Sequence, residues 1–307
     1  AMRNDEPFGG KQMIFFGDPF QLPPPLDMND SAINHYFTNI YESEYFFDSK
    51  IFNQDYFRII KLKKVFRQQD QEFINILNRI RKNKHTNEDL SQINQRVNNN
   101  DDNKVILTPY KDIAISINQT KLKQLKGEKK TYEAKTQGSI NISNMPAPEK
   151  LILKKGAQVM FVKNDNDPTR NCSRRWVNGH LGKIEKLYKD TVNVRRKNKT
   201  YKVECAKWEE YKYRIDNGLL IKDIKGSFIQ IPLIPAWAIT IHKGQGQTLQ
   251  SVHIDLTKKP FEFGQTYVAL SRTKSLDDIS LETDITNEDI LVNQRVVEFY
   301  DNINFET

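Results

Sequence analysis

The sequence predicts an α/β protein that carries a smaller all-β segment. An apolar strand at 105–108 precedes a helical pattern at 113–125, and this β-then-α order is typical of a parallel sheet. From residue 151 the pattern changes to short alternating strands separated by turns. Residues 236–275 then return to longer apolar segments around a glycine-containing loop. These three observations together indicate one α/β fold with an inserted β structure.

The composition excludes several classes of protein. The chain has 307 residues, enough for about two domains, and 37% of them are hydrophobic. No apolar run of about 18 residues is present, so the sequence predicts no membrane partner. The two cysteines form no Cys-x-x-Cys pair, which predicts an intracellular, reducing environment and no metal site.

The positive charge is concentrated in one part of the chain. The net charge is +8, but residues 151–232 contain 19 Lys and Arg against 9 Asp and Glu, a local excess of +10. A basic patch of this kind is the electrostatic pattern of nucleic-acid binding, although a solvated basic face is the simpler alternative.

The first hundred residues predict a strand, a proline-rich turn and a helix. Residues 13–16 are apolar and lead into the turn GDPFQLPP at 17–24, which would place Asp18 and Gln21 at the end of the strand. A short helix is expected at 47–52. Asp70 is a candidate N-cap for a helix with core positions at Phe73, Ile76, Leu77 and Ile80.

The middle of the chain predicts a small β-barrel. Residues 83–104 indicate a loop with a short helix, before the strand at 105–108. Asn-Gly pairs at 178–179 and 217–218 are typical hairpin turns. The strands are expected at 151–156, 157–161, 182–187, 191–195 and 199–205.

The stretch 236–275 is the most informative part of the sequence. It reads AWAITIHKGQGQTL at 236–249 and FGQTYVALSRTKS at 263–275. We expect a helix, a polar loop, a buried strand and a second helix that displays Arg272 and Lys274. A guanidinium beside glycines suits a polyanion because it can hold two phosphate oxygens at once. A final helix is expected to bury Val296 and Val297.

These motifs resemble those of the PIF branch of superfamily-one DNA helicases, which is related to RecD. The two segments just quoted look like the fifth and sixth helicase motifs. PFGGKQ at 7–12 with GDPFQLPP resembles the family signature and third motif, and VFRQQDQEF at 65–73 resembles the fourth. KKGAQVMFVKN at 154–164 and VNGHLG at 177–182 are similar to the entry of the family's inserted barrel.

The resemblance implies a fold and a domain organisation. The expected fold is α/β: a RecA-like domain 2A with an inserted small β-barrel 2B, plus the C-terminal remnant of the first RecA-like domain. The implied segments are the remnant at 1–60, domain 2A at 61–157, barrel 2B at 158–228, and the rest of 2A at 229–307.

The resemblance also implies the residues of a nucleotide site. Gln21 would sense the γ-phosphate of ATP, and Arg67 and Arg272 would reach the triphosphate from the second domain. Gly17, Asp18 and Gly246 would line the same site.

Single-stranded DNA is the second implied ligand, with forks and duplex junctions as its natural setting. His242, Lys243 and Thr248 would hold the strand, although Gly244 stands where the family commonly has Ser. The remaining candidates are Thr108 and Asn118, which are as well explained as structural residues, and the basic Arg195, Arg196 and Lys197.

Two elements of a complete motor are not found. The sequence contains no G-x-x-x-x-G-K-S/T phosphate-binding loop and no acidic strand end for Mg²⁺. We therefore expect a C-terminal fragment of an ATP-dependent 5′-to-3′ helicase whose partner is the parent's N-terminal RecA-like domain. ATP and Mg²⁺ would belong to the intact parent, and the fragment alone would bind no cofactor and hydrolyse no ATP.

Two alternatives remain open at this point. The chain could be a non-catalytic nucleic-acid-binding or scaffold protein with a degenerate helicase fold, although Gln21, Arg67 and Arg272 argue against it. It could also be the helicase portion of a relaxase or transposase.

Overall fold

The computed structural model describes residues 6–26, 31–52, 57–97, 104–165, 174–216 and 219–306. The helices are α1 (Ser31–Asn39), α2 (Gln71–Arg81), α3 (Asn87–Asn94), α4 (Lys111–Gln124), α5 (Ile241–Gly244), α6 (Gln265–Leu270) and α7 (Gln294–Asn302). The strands are β1 (Val105–Thr108), β2 (Lys129–Glu133), β3 (Lys135–Gly138), β4 (Lys150–Lys154), β5 (Gln158–Phe161), β6 (Leu181–Leu187), β7 (Thr191–Arg196), β8 (Lys199–Glu204), β9 (Ala206–Asp216), β10 (Leu219–Gln230), β11 (Leu233–Pro235), β12 (Ala238–Thr240), β13 (Val252–Ile254) and β14 (Ile279–Leu281).

Internal contacts divide the chain into two compact units. The strand-rich unit is Lys111–Ile239, and the α/β unit combines Met2–Tyr110 with Thr240–Thr307. The α/β unit is therefore built from two distant parts of the sequence. The domain boundaries at 60, 157 and 228 stay a prediction.

Parallel strands form the centre of the α/β unit. β13 lies between β1 and β14, with Val252 opposite both Val105 and Ile279. These strands are apolar and buried, as expected for a parallel sheet covered on both faces. The predicted strands at 105–108 and after 251 are confirmed.

Helix α2 forms where its sequence predicts it. The Asp70 carboxylate accepts hydrogen bonds from the backbone N–H groups of Glu72 and Phe73, which satisfies two donors at the helix start. The predicted core positions all lie inside the unit: Phe73, Ile76, Leu77 and Ile80. The predicted short helix within 83–104 is α3, and the predicted final helix is α7.

The strand-rich unit contains an antiparallel sheet in the order β11-β5-β6-β7-β8. The described strands do not close into the predicted barrel, since β11 and β8 are the two edges. The two-stranded sheet β2-β4 contributes Tyr132, Leu151 and Leu153 to the same hydrophobic core. The apolar face is thus covered by a second sheet and does not need to close on itself.

A long hairpin completes the strand-rich unit. β9 pairs antiparallel with β10 from Ala206 and Gln230 to Asp216 and Leu219, and β3 lies on the other side of β10. The predicted turn residues Asn217 and Gly218 lie outside the described residues, as does Cys172.

Two predicted elements are wrong. Residues 13–16 form no strand, and Ile14 and Phe16 are 71% and 86% exposed, because no described strand lies beside them to pair with their backbone. The apolar run at 236–241 is not a helix: it contains strand β12, and only α5 at its end is helical. Its β-branched residues favour the extended form.

Two further properties concern the described residues as a group. None of their helices combines the length and the apolar composition that crossing a bilayer requires. No group of three or more of their His, Cys, Asp and Glu side chains is arranged to hold a metal ion.

Candidate functional site

A small cavity in the α/β unit collects residues from three separated motifs and from helix α2. Its volume is about 100 Å³. It lies among Gln21 of the third motif, the C-terminal part of α2, and the residues around α6. Its lining includes Gln21, Arg67, Gln68, Arg81, Tyr267, Ser271 and Arg272. The structure thus brings together three residues that the sequence analysis assigned to one nucleotide site.

Arg67 is half-buried and is held by two hydrogen bonds. Its Nε donates to the Thr248 hydroxyl at 3.0 Å, and its Nη1 donates to the Ser271 carbonyl at 2.7 Å. The neighbouring Gln68 is buried, and its amide donates to the carbonyls of Ser271 and Thr273. These bonds fix the chain before α2 against the residues after α6.

Arg272 is 2% exposed, so the predicted display of this side chain is wrong. Its Nε donates to the Val268 carbonyl at 2.6 Å and its Nη2 to the Ser271 hydroxyl at 2.6 Å. Burial, followed by the nearby charge of Arg67, lowers the pKa of Arg272 to about 10. Burial also lowers the pKa of Arg67.

No described carboxylate lies within ion-pair distance of either guanidinium at this cavity. Arg67 and Arg272 donate only to carbonyl and hydroxyl oxygens. A buried cation without a counter-ion is costly, because neutral oxygens replace only part of its hydration. The arrangement is therefore electrostatically suited to an anion.

Gln21 reaches the cavity from a turn that Asp18 organises. The Gln21 amide donates to Asp18 Oδ2 at 3.3 Å, and the backbone N–H of Gln21 donates to the Asp18 carbonyl at 3.0 Å. On its other side, Gln21 Oε1 accepts from Gln245 at 3.4 Å. The third motif is thus joined to the Gly-Gln-Gly-Gln loop.

Arg81 holds the same turn from α2, and the sequence analysis did not identify it. Its Nη2 donates to Asp18 Oδ1 at 3.3 Å, and its guanidinium lies 4.6 Å from the centre of the Phe20 ring. The centre of the Tyr267 ring lies 5.7 Å from the same guanidinium. Its position in the sequence could have indicated this role, because Arg81 is the last residue of helix α2, whose start the sequence predicts correctly.

The glycines near the cavity differ in what surrounds them. Gly264 begins α6 with a φ of +74°, and a Cβ there would lie 2.5 Å from the Phe20 carbonyl oxygen and 2.7 Å from that of Gln21. The predicted site residues Gly17 and Gly246 have open space around them. Gly264 therefore allows the third and sixth motifs to pack against each other, a role that the sequence did not predict.

The loop after β12 exposes the residues predicted to hold DNA. The Thr240 hydroxyl accepts from the Lys243 N–H at 3.3 Å and begins the single turn of α5. His242, Lys243 and Thr248 are all exposed. They lie in the same unit as the cavity, to which Thr248 is joined through Arg67.

Thr108 and Asn118, the other two predicted DNA contacts, have different surroundings in the structure. Thr108 is fully buried at the end of β1, and its hydroxyl has no hydrogen-bond partner among the described residues. Asn118 donates to the Ala238 carbonyl at 2.7 Å and accepts from the Ala238 N–H at 3.0 Å. The hydrogen bonds of Asn118 agree with a structural role, while the DNA contacts of both residues stay a prediction.

The basic residues Arg195, Arg196 and Lys197 lie in the strand-rich unit at the turn between β7 and β8. Arg195 lies 3.4 Å from Glu185, an exposed contact, while Lys197 has a φ of +53° in the turn. Burial, and then the charges of Arg196 and Lys197, lower the pKa of the nearby His180. This turn is therefore a local source of positive potential.

Comparison with known proteins agrees with these motifs. A family model described as PIF1-like helicase matches residues 1–91. The crystal structure of Bacteroides Pif1 bound to single-stranded DNA is 33% identical, covers 97% of this chain and 68% of its own, and gives a TM-score of 0.76. The chain belongs to the PIF1-like helicase family.

Other PIF1-like helicases match over the same extent. The ATP-dependent DNA helicase PIF1 of Xenopus laevis is 32% identical over 96% of this chain and 44% of its own length. The Bdellovibrio bacteriovorus Pif1 helicase is 32% identical over 98% of this chain and 64% of its own. This chain thus spans 44% and 64% of the length of these two relatives, and its α/β fold is that of PIF1-like helicases.

Proposed function

We propose that this chain is part of an ATP-dependent DNA helicase that moves 5′-to-3′ on single-stranded DNA and unwinds duplex. One observation carries the proposal: Gln21, Arg67 and Arg272 line one cavity, where the two guanidiniums are desolvated. A polyphosphate would place negative charge within ion-pair distance of both guanidiniums, which no described carboxylate does. The fold and motifs that this chain shares with PIF1-like helicases support ATP as this anion.

The cavity accounts for only part of a nucleotide site. Small-molecule sites usually measure about 300–1,000 Å³, and this cavity is near 100 Å³. We propose that an N-terminal RecA-like domain supplies the other wall, the phosphate-binding loop and the Mg²⁺ ligands. Without that domain, this chain is not expected to hydrolyse ATP.

The residues would act on phosphoryl transfer through charge. Arg67 and Arg272 would stabilise negative charge that develops on the transferred group, and Gln21 would contact the γ-phosphate. Arginines in such positions contribute on the order of 10³-fold or more in rate. The arginines would act only when the site closes around ATP. Hydrolysis would remove the interactions that hold the site closed, so the site would open again.

DNA would be held mainly through the exposed loop of the α/β unit. His242, Lys243 and Thr248 offer a ring, a cation and a hydroxyl in seven positions. The basic turn Arg195, Arg196 and Lys197 would add phosphate contacts from the strand-rich unit. Solved relatives bind single-stranded DNA and forked duplex DNA, which are the substrates we propose here.

Substitution of Arg272 tests this proposal in the protein joined to the upstream domain. Arg272→Ala should reduce the rate of ATP hydrolysis about 10³-fold, while ATP binding stays largely intact. Lys274→Ala is a matched control, because Lys274 is exposed two positions away, and its turnover should equal that of the wild type. Unchanged turnover in Arg272→Ala would refute the role of this residue.

A further inference from the structure

A second group of aromatic rings lies beside the loop that we propose holds DNA. Phe261 is 52% exposed. Its ring centre is 5.0 Å from that of Tyr110 and 6.3 Å from that of His242, and it is within 20° of parallel to the imidazole. All three residues belong to the α/β unit. An open, partly stacked ring of this kind can accept one more planar group.

Positive charges surround these rings. Lys258 Nζ lies 3.7 Å from the centre of the Tyr110 ring, and Lys243 follows His242 in the chain. The other charged residues nearby compensate only part of this positive charge. Lys259 forms an ion pair with Glu288, and Glu262 is adjacent to Phe261. Lys243 and Lys258 are both exposed and add positive charge to this surface.

The protonation state of His242 agrees with stacking. Burial lowers the pKa of His242, and the charge of Glu262 opposes this effect. Because the ordinary pKa of histidine is already near 6.5, the imidazole is mainly neutral at pH 7. A neutral ring next to Phe261 extends the aromatic surface.

We propose that Phe261, with His242 and Tyr110, forms a stacking platform for a base of single-stranded DNA, and that Lys243 and Lys258 contact the adjoining phosphates. The proposal rests on the proposed function. Base stacking on an aromatic ring tolerates any sequence, because every base has a π-face. A translocating helicase needs this tolerance. Charge complementarity selects nucleic acid over an apolar protein partner for this surface.

Two oligonucleotides distinguish stacking from phosphate binding. Fluorescence anisotropy would compare a thymidylate strand of about 12 nucleotides with an abasic strand that has the same number of phosphates. Phe261→Ala should weaken binding of the thymidylate strand about 5- to 30-fold and leave binding of the abasic strand unchanged. The salt dependence should not change, because no charge is removed. Phe261→Trp should restore the preference for the thymidylate strand over the abasic strand.

A matched control uses a phenylalanine of equal exposure. Phe46 is 53% exposed and contacts other aromatic rings of its own cluster, so Phe46→Ala should bind both strands like the wild type. If Phe261→Ala weakens binding of both strands equally, or of neither strand, the platform is overturned while the proposed function stands. If the wild-type chain binds neither strand at low salt, the proposed DNA binding fails and the platform fails with it.

Discussion

The Nε of Arg67 donates a hydrogen bond of 3.0 Å to the hydroxyl of Thr248. Arg67 lines the cavity proposed for ATP, whereas Thr248 lies on the exposed loop proposed for DNA. One hydrogen bond therefore joins the two proposed ligand sites within the α/β unit. Occupation of either site can change the geometry of the other through this contact.

Thr248→Val should weaken this coupling, because valine keeps the shape of threonine and removes the acceptor. In the protein joined to the upstream domain, stimulation of ATP hydrolysis by saturating single-stranded DNA should fall about tenfold, since a hydrogen bond to a charged donor contributes ~1.5 kcal/mol. Thr248→Ser keeps the hydroxyl and serves as the control. Equal stimulation in the Val and Ser variants would contradict the coupling.

Gly264→Ala should destabilise the fold more than Gly246→Ala. Both glycines have a positive φ, +74° and +76°, but only at Gly264 would a Cβ meet backbone atoms, those of Phe20 and Gln21. The left-handed conformation costs about 1–2 kcal/mol in each variant. Urea unfolding should show an additional loss of about 1–3 kcal/mol for Gly264→Ala. Equal losses of unfolding free energy in the two variants would mean that the third and sixth motifs can move apart without loss of stability.

Asp18 and Arg81 should be energetically coupled. Their side chains are about one-fifth exposed and form an ion pair of 3.3 Å, beside the Phe20 ring. A double-mutant cycle with Asp18→Asn and Arg81→Met should give a coupling free energy of about 1 kcal/mol in urea unfolding. Arg79 and Glu72 form a more exposed pair on the same helix and should give less. Additive effects of the Asp18 and Arg81 substitutions would show that the pair does not hold the turn.

Pyrophosphate should stabilise this chain through Arg67 and Arg272. The pKa of Arg272 is lowered from its ordinary value to about 10, so the folded state binds this proton less tightly than the unfolded chain does. The charged form therefore opposes folding below pH 10, and a bound anion should offset that cost. At about ten times its Kd, pyrophosphate should raise the Tm by roughly 3 °C. Arg272→Gln should lose most of this shift at the same ionic strength, and an equal shift would contradict the assignment.

His180 should report on DNA at the basic turn. Its pKa is lowered by burial and then by Arg196 and Lys197, so stability should begin to fall below pH 6.5 and continue to fall until the pH reaches the lowered pKa of His180. Replacement of Arg196 and Lys197 by Gln should raise this pKa, and bound single-stranded DNA should raise it in the wild type by neutralising the same charges. NMR titration of the imidazole measures both effects. A pKa that does not change when DNA is bound would place the DNA elsewhere.

Local sequence patterns were sufficient to predict several elements of the fold. The Asp70 cap and the apolar spacing at 73, 76, 77 and 80 predicted α2, since both signals act within one or two turns of the chain. Residues 13–16 have an equally apolar pattern, yet no described strand pairs with them. A strand needs a neighbour, and its own sequence does not supply one.

Within the site, the amino-acid order specifies which side chains are available: Gln21, Arg67 and Arg272 in recognisable motifs, and the concentration of charge at 151–232. Folding is needed to bring these three residues to one cavity, to bury Arg272, and to let Arg81 and Gly264 hold the third motif in place. Desolvation and contact depend on residues some two hundred positions apart. Residue type and spacing along the chain do not contain that information.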